Sequence, residues 1–168
     1  MLLLGCWTAA TGCDGGSCIE VCDLPDEGWT ARQAIVFTFR PDSTSVHRAA
    51  RRSGETGGEW IDLMVRHRND FPYADLLLEI KGVAPDKRFW VDTVDFPLAE
   101  PDEEGNYRWT GRTYSNHSDV THRYRSGIRY RTAGEYALSI RQLAAPDTLQ
   151  GIIAVGMIAS GSSAAAVR

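Results

Sequence analysis

The sequence predicts an all-β protein: an antiparallel β-sandwich, immunoglobulin-like or jelly-roll-like, in a single domain. Three observations carry that prediction. Short runs alternate apolar and polar residues with a period of two, turn residues punctuate them at close intervals, and no stretch shows the apolar period of an amphipathic helix. A closed barrel fits the same pattern and stays open as the alternative.

The clearest element runs from Trp60 to Ile80, WIDLMVRHRNDFPYADLLLEI. Ile61, Leu63 and Val65 share one face of a first strand, and Leu76, Leu78 and Ile80 share one face of a second. Between them His67 to Asp70 reads as a polar corner. Phe71-Pro72-Tyr73 then forms an elbow in which the fixed φ of Pro72 presents both aromatics in a defined direction. Upstream, Ala34 to Arg40 alternates, with Ile35, Phe37 and Phe39 inward, and Pro41-Asp42-Ser43 ends it. His47 to Glu59 is charged, glycine-rich and aperiodic, and reads as an exposed loop.

Downstream, Gly82 to Lys87 has turn chemistry and Arg88 to Phe96 alternates again until Pro97. An acidic loop from Glu100 to Asn106 leads to a short strand, Tyr107 to Arg112, that carries Trp109. Ser115 to Thr121 reads as irregular, and His122 to Arg131 places Tyr124, Ile128 and Tyr130 at even spacing among arginines. Glu135 to Leu143 points Tyr136, Leu138 and Ile140 inward. Gly151 to Ala159 is apolar without alternation, as expected of a central strand covered on both faces.

Composition bounds the function. The 168 residues are 43% hydrophobic and 24% charged, ordinary for a globular protein long enough to bury a core without disulfide staples, and the net charge of −4 argues against a general nucleic-acid binder. No run approaches the roughly 20 apolar residues of a spanning helix, so contact with a membrane requires an anchor. Cys6, Cys13, Cys18 and Cys22 all lie near the N-terminus. Residues 1–12 read as a signal peptide, apolar and ending in Ala10-Thr11-Gly12 before Cys13, which would be cleaved and acylated there. No Lys or Arg precedes Cys13, so the leader is expected to begin upstream of Met1. Leu3-Leu4-Gly5-Cys6 is a rival cleavage site with almost no hydrophobic stretch before it. Residues 13–28 read as a lipidated tether in which Cys18 and Cys22 are a possible disulfide. The sandwich is expected over 29–160, and 161–168 as a disordered tail.

Together these segments resemble the gliding motility lipoprotein GldH family. The residues that carry the resemblance are Cys13-Asp14, Trp29 and the strand to Phe39, RHRNDFPYADLLLEI, Asp92-Thr93-Val94-Asp95-Phe96-Pro97-Leu98-Ala99, Gly134-Glu135-Tyr136 and Leu149-Gln150-Gly151-Ile152 with Val155-Gly156. The arginine- and glycine-rich loop after Val46 falls outside it. The resemblance implies a lipid-anchored envelope protein needed for surface gliding in certain Gram-negative bacteria, facing the periplasm, with no enzymatic activity and no cofactor. Its implied partners are other envelope proteins of a motility or secretion machinery.

No catalytic pattern stands out from the residues themselves. His117, Asp119 and His122 match no zinc spacing, so no metal is assigned, and no nucleophile elbow places a Ser-His-Asp set. Asp92 and Asp95 fall on opposite faces of a strand, which argues against a shared acid/base site. Arg108, Arg112, Arg123, Arg125, Arg129 and Arg131 follow an acidic stretch from Asp92 to Glu104, and either steer a partner or pair with those acids within the fold. Trp60, Trp90, Trp109, Tyr107, Tyr124 and Tyr130 are either packing residues or a sugar-stacking platform, the latter making a carbohydrate-binding module the alternative function. The expected partner surface joins Phe71, Pro72 and Tyr73 of the elbow with Arg123, Arg125 and Arg129, because stiffened aromatics and arginine favour interface hot spots.

Overall fold

The computed structural model describes residues 9–14, 16–43, 45–46, 58–144 and 146–164. The leader up to residue 8, the loop at 47–57 and the tail at 165–168 lie outside the described residues. Two antiparallel sheets face one another, and neither closes into a barrel. The wider sheet runs β1 (Ala9–Asp14), β2 (Ser17–Asp23), β14 (Ile152–Ser160), β5 (Glu59–Arg68), β11 (His117–Ile128) and β10 (Arg112–Thr113). The narrower runs β15 (Ser162–Ala164), β4 (Ile35–Pro41), β12 (Tyr136–Gln142), β6 (Asp75–Val83) and β7 (Phe89–Pro97). Two small ribbons, β3 (Trp29–Thr30) with β13 (Thr148–Leu149) and β8 (Ala99–Pro101) with β9 (Tyr107–Trp109), complete the fold.

The period of two decides what is buried. Ile61, Leu63 and Val65 of β5 meet Ile35, Phe37 and Phe39 of β4, Leu76, Leu78 and Ile80 of β6, and Tyr136, Leu138 and Ile140 of β12 in one contiguous core. In β14 the apolar run is buried almost without interruption, Ala154, Val155 and Met157 being at most 1% exposed, because β2 and β5 pair on its two sides and Met64 lies over Gly156. Trp29 is fully buried, its Nε1 donating to the Gln33 carbonyl. Gln142 ends β12 as a buried pin: Nε2 donates to the Trp29 and Asp147 carbonyls, and Oε1 accepts from the Ala144 N–H. A buried amide with every partner present fixes the β3–β13 ribbon against the sandwich.

Four sequence expectations need correction. Residues 13–28 are not simply a tether: β2 pairs in register with β14 from Asp23 to Ser17, and Cys18 is buried in the core. Gly161 turns the chain and Ser162–Ala164 pairs with β4, so these residues are not part of a disordered tail. Residues 117–121 are not irregular but open the long strand β11, with Ser118 and Val120 buried. His67 is no polar corner, since it continues β5 and is fully buried.

The strand directions gather the loops at two ends. The connections after β2, β5, β7 and β12 lie at one end, with the elbow; those after β1, β4, β6, β11 and β14 lie at the other. Leu78 sits midway between, at 0% exposure. Leu78→Asp would bury an unpaired charge, a penalty beyond the stability of a typical domain margin, and the β signal in circular dichroism is expected to be lost.

Candidate functional site

The structure separates the residues expected to form one partner surface. Arg125 lies across from Ile61 in β5, while His117 lies across from Arg68, next to the elbow. At about 3.3 Å per residue the two groups are roughly 23 Å apart along the strand, at opposite ends of the sandwich.

At the elbow end Phe71 is a plug. It is 4% exposed, packs against His67 at 5.7 Å between centroids, and closes over Gly151, where a Cβ would sit 3.3 Å from its ring. Pro72 and Tyr73 face outward, with the Tyr73 ring edge-on to Phe71 at 5.4 Å. Beside them a hollow of about 450 Å³ is lined by Arg68, Asp70, Tyr73, Pro146 and Gln150. Below the plug, His67 Nδ1 donates to the Arg68 carbonyl at 2.9 Å and the ring meets Trp109 at 4.3 Å, while Nε2 has no partner among the described residues. Burial pushes the imidazole below its ordinary pKa.

At the other end, the side of the sandwich where β7 and β11 meet is closed by a polar network. Gly82 sits opposite Trp90, and a Cβ there would lie 2.0 Å from the indole, so only glycine lets the ring lie flat on β6. From that position Trp90 Nε1 donates to Tyr124 Oη at 3.0 Å, and Tyr124 Oη donates to Asp92 at 2.6 Å. Arg125 donates to the same carboxylate at 2.8 Å and lies 5.1 Å from the Trp90 ring centroid. Consecutive strand residues normally point to opposite faces. A register shift between Arg123 and Arg125 relaxes that rule and turns Tyr124 and Arg125 alike toward β7. Burial and the Asp92 hydrogen bond push the Tyr124 phenol up to about 12.

Arg123 belongs to the outer face of the wide sheet. It pairs with Asp62, directly opposite in β5, and covers the Trp60 ring at 4.2 Å. Arg66 and Asp119 form a second cross-strand pair at 2.6 Å, which holds the Asp119 carboxyl below the usual carboxylate range. Arg108 pairs with Asp102. Arg129 and Arg131 differ from these: both are exposed, and neither has a carboxylate within ion-pair distance among the described residues. With Arg88, Arg125, Phe89 and Trp90 they line a cleft of about 370 Å³.

Most of the rings weighed as a sugar platform are covered by neighbouring side chains. Trp60 lies under Arg123, Trp90 against Tyr124, Trp109 against His67, and Tyr130 is buried against Phe39 and Tyr136. Tyr107 is exposed at 67% but stands on the separate β8–β9 ribbon. His122 Nε2 hydrogen-bonds with the Pro97 carbonyl, and His117 stacks on Tyr114. Among the described residues no group of three or more His, Cys, Asp or Glu is arranged to hold a metal ion, and no helix is long and apolar enough to cross a membrane.

The cysteine pairing also departs from expectation. Cys18 and Cys22 occupy one strand, about 13 Å apart at strand rise, beyond the reach of a disulfide. No disulfide joins Cys18 to Cys22. The Cα of Cys13 lies opposite that of Cys18 in the β1–β2 pair. Sequence reasoning took Gly82 for turn chemistry and His67 for the start of a polar corner. The missed signal at Gly82 was a glycine within reach of a tryptophan on the next strand.

Comparison with protein families matches the model of the GldH lipoprotein family to residues 19–158. No curated protein matches the chain.

Gly82→Ala should cost about 1–3 kcal/mol in chemical denaturation by lifting Trp90 off β6, and Tyr124→Phe about 1 kcal/mol by removing one hydroxyl from the network. For His67 the unfolded chain takes up a proton near pH 6.5 that the folded chain resists. Its contribution is therefore complete above that pH and declines as pH falls below it. Melting temperature followed from about pH 7 to pH 5 should fall less in His67→Phe than in the wild type.

Proposed function

The chain belongs to the GldH lipoprotein family, and from that premise we propose that it is a lipid-anchored envelope protein facing the periplasm, a non-catalytic accessory of a gliding-motility or secretion apparatus. The lipid is carried at Cys13. Cleavage before that residue removes Ala9–Gly12, most of β1, and leaves Cys13 and Asp14 opposite Cys18 and Ser17. Since β1 is the outermost strand, its loss leaves the other strands of the sheet paired as they are.

The observation that carries the accessory reading is the free edge of β7. Nine residues, Phe89–Pro97, pair with β6 on one side and with no strand on the other among the described residues. An edge of that length, with Val91 49% exposed, suits the addition of a strand from a partner protein, where main-chain hydrogen bonds supply affinity and side chains supply selection. Three of the acids on the sheets are held in structural pairs, Asp119 with Arg66, Asp92 with Tyr124 and Arg125, and Glu79 with Arg141. The covering of Trp60 by Arg123 and the packing of Trp90 and Trp109 against Tyr124 and His67 favour this reading over a carbohydrate-binding module.

Supplied with an intact leader, Cys13→Ser should move from the membrane to the soluble fraction, because acyl chains provide most of the bilayer affinity. Retention of the variant in membranes overturns the anchor. Val91→Lys keeps its melting temperature but should lose the envelope proteins that co-purify with the lipidated wild type, since lysine on an edge strand opposes strand addition. Full recovery of those proteins overturns the edge assignment.

A further inference from the structure

We propose that the arginine-lined cleft at the β6–β7 and β11–β12 loops binds the anionic headgroups of the bilayer that holds the anchor, so that the sandwich stands on the membrane on this end. The inference rests on the lipid anchor at Cys13 and adds what the fold does beside it.

The first support is register. Cys13 pairs with Cys18, Cys18 with Ala159, Ala159 with Ile61, and Ile61 with Arg125. The anchored residue and the arginine at the floor of the cleft therefore lie on one rung of the wide sheet. Four strand spacings separate them, about 19 Å across the sheet. The loops that carry Arg88, Arg129 and Arg131 extend beyond that rung, toward the surface to which Cys13 is fixed. An acyl chain at one corner and a headgroup site at the other give two contacts on the same plane.

The second support is chemistry. Arg129 and Arg131 have no carboxylate partner among the described residues, Arg88 is exposed but paired with Asp86 at 2.6 Å, and the cleft between them holds about 370 Å³. A guanidinium binds phosphate oxygens through paired N–H groups, and an exposed aromatic beside it suits the interfacial layer of a bilayer. Phe89, 66% exposed at the mouth of the cleft, is that aromatic.

The third support is the charge of the opposite end. Its loops carry Asp26, Glu27, Glu103, Glu104 and Asp147 against Arg32, while Asp70 is paired with Arg68 and Asp102 with Arg108. An anionic surface repels that end and attracts the arginine end, so the long axis of the molecule is oriented before any close contact forms.

The test uses the lipidated full chain in vesicles of phosphatidylcholine alone and of phosphatidylcholine with phosphatidylglycerol, followed by amide hydrogen exchange. At residues 84–88 and 129–135 exchange should slow by at least about fivefold in the anionic vesicles, the gain expected of one arginine at such a surface. The double variant Arg129→Glu/Arg131→Glu should float equally well and melt at the same temperature, yet lose that protection. Equal exchange in both vesicle types overturns the proposal while leaving the anchor intact, because the protein still floats. Protection reproduced by inorganic phosphate without vesicles overturns the bilayer as the source of the ligand. Failure of the wild type to float with either vesicle removes the anchor on which the proposal stands.

Discussion

The Trp90 ring lying flat on Gly82 is the contact on which the open side of the sandwich depends. Strand β7 ends its sheet, and of its residues only Phe96 is fully buried, so little apolar packing holds it to the opposite sheet. The indole brings its N–H within reach of Tyr124, the hydroxyl passes the interaction to Asp92, and Arg125 completes it from the neighbouring position of β11. The register shift in β11 is needed for both Tyr124 and Arg125 to face the same way. Half-buried polar groups in such a chain stabilise only while every member is present, which makes Gly82 as consequential as any charged residue in it.

Much of this fold was legible because alternation survives in a one-dimensional string. Ile35 to Phe39, Ile61 to Val65, Leu76 to Ile80 and Tyr136 to Ile140 all face the core as their period demands. Where alternation is hidden, the reading failed for identifiable reasons. In SCIEVCD the cysteines and the charges suggested a tether, yet β2 owes its place to the apolar strand β14 beside it, a partner that no local pattern in β2 reveals. His67 looked polar because histidine is, whereas Phe71 and Trp109, distant from each other in sequence, enclose it.

The candidate surface was legible in its residue types and not in its geography. The elbow and the arginines were joined because both have the composition of interfaces, and composition carries no register. The pairing of β5 with β11 puts them at opposite ends. The elbow then divides again: Phe71 closes the core and Tyr73 faces outward, a distinction imposed by Pro72 between them and by the space over Gly151.

The arginines sort by what they already hold. Arg123 is spent on Asp62 and Trp60, and Arg125 on Asp92 while lying beside two aromatic rings, a combination of planar hydrogen bonding and stacking that lysine does not reproduce. Their charge is largely neutralised where it stands, so they shape the cleft more than they attract a ligand. Arg129 and Arg131 come after β11 ends, past the last residue that pairs with β5, and no carboxylate among the described residues pairs with them. An arginine that the structure does not use keeps its full electrostatic reach toward whatever lies beyond that end, and the register of the wide sheet fixes that direction as the side on which Cys13 is found.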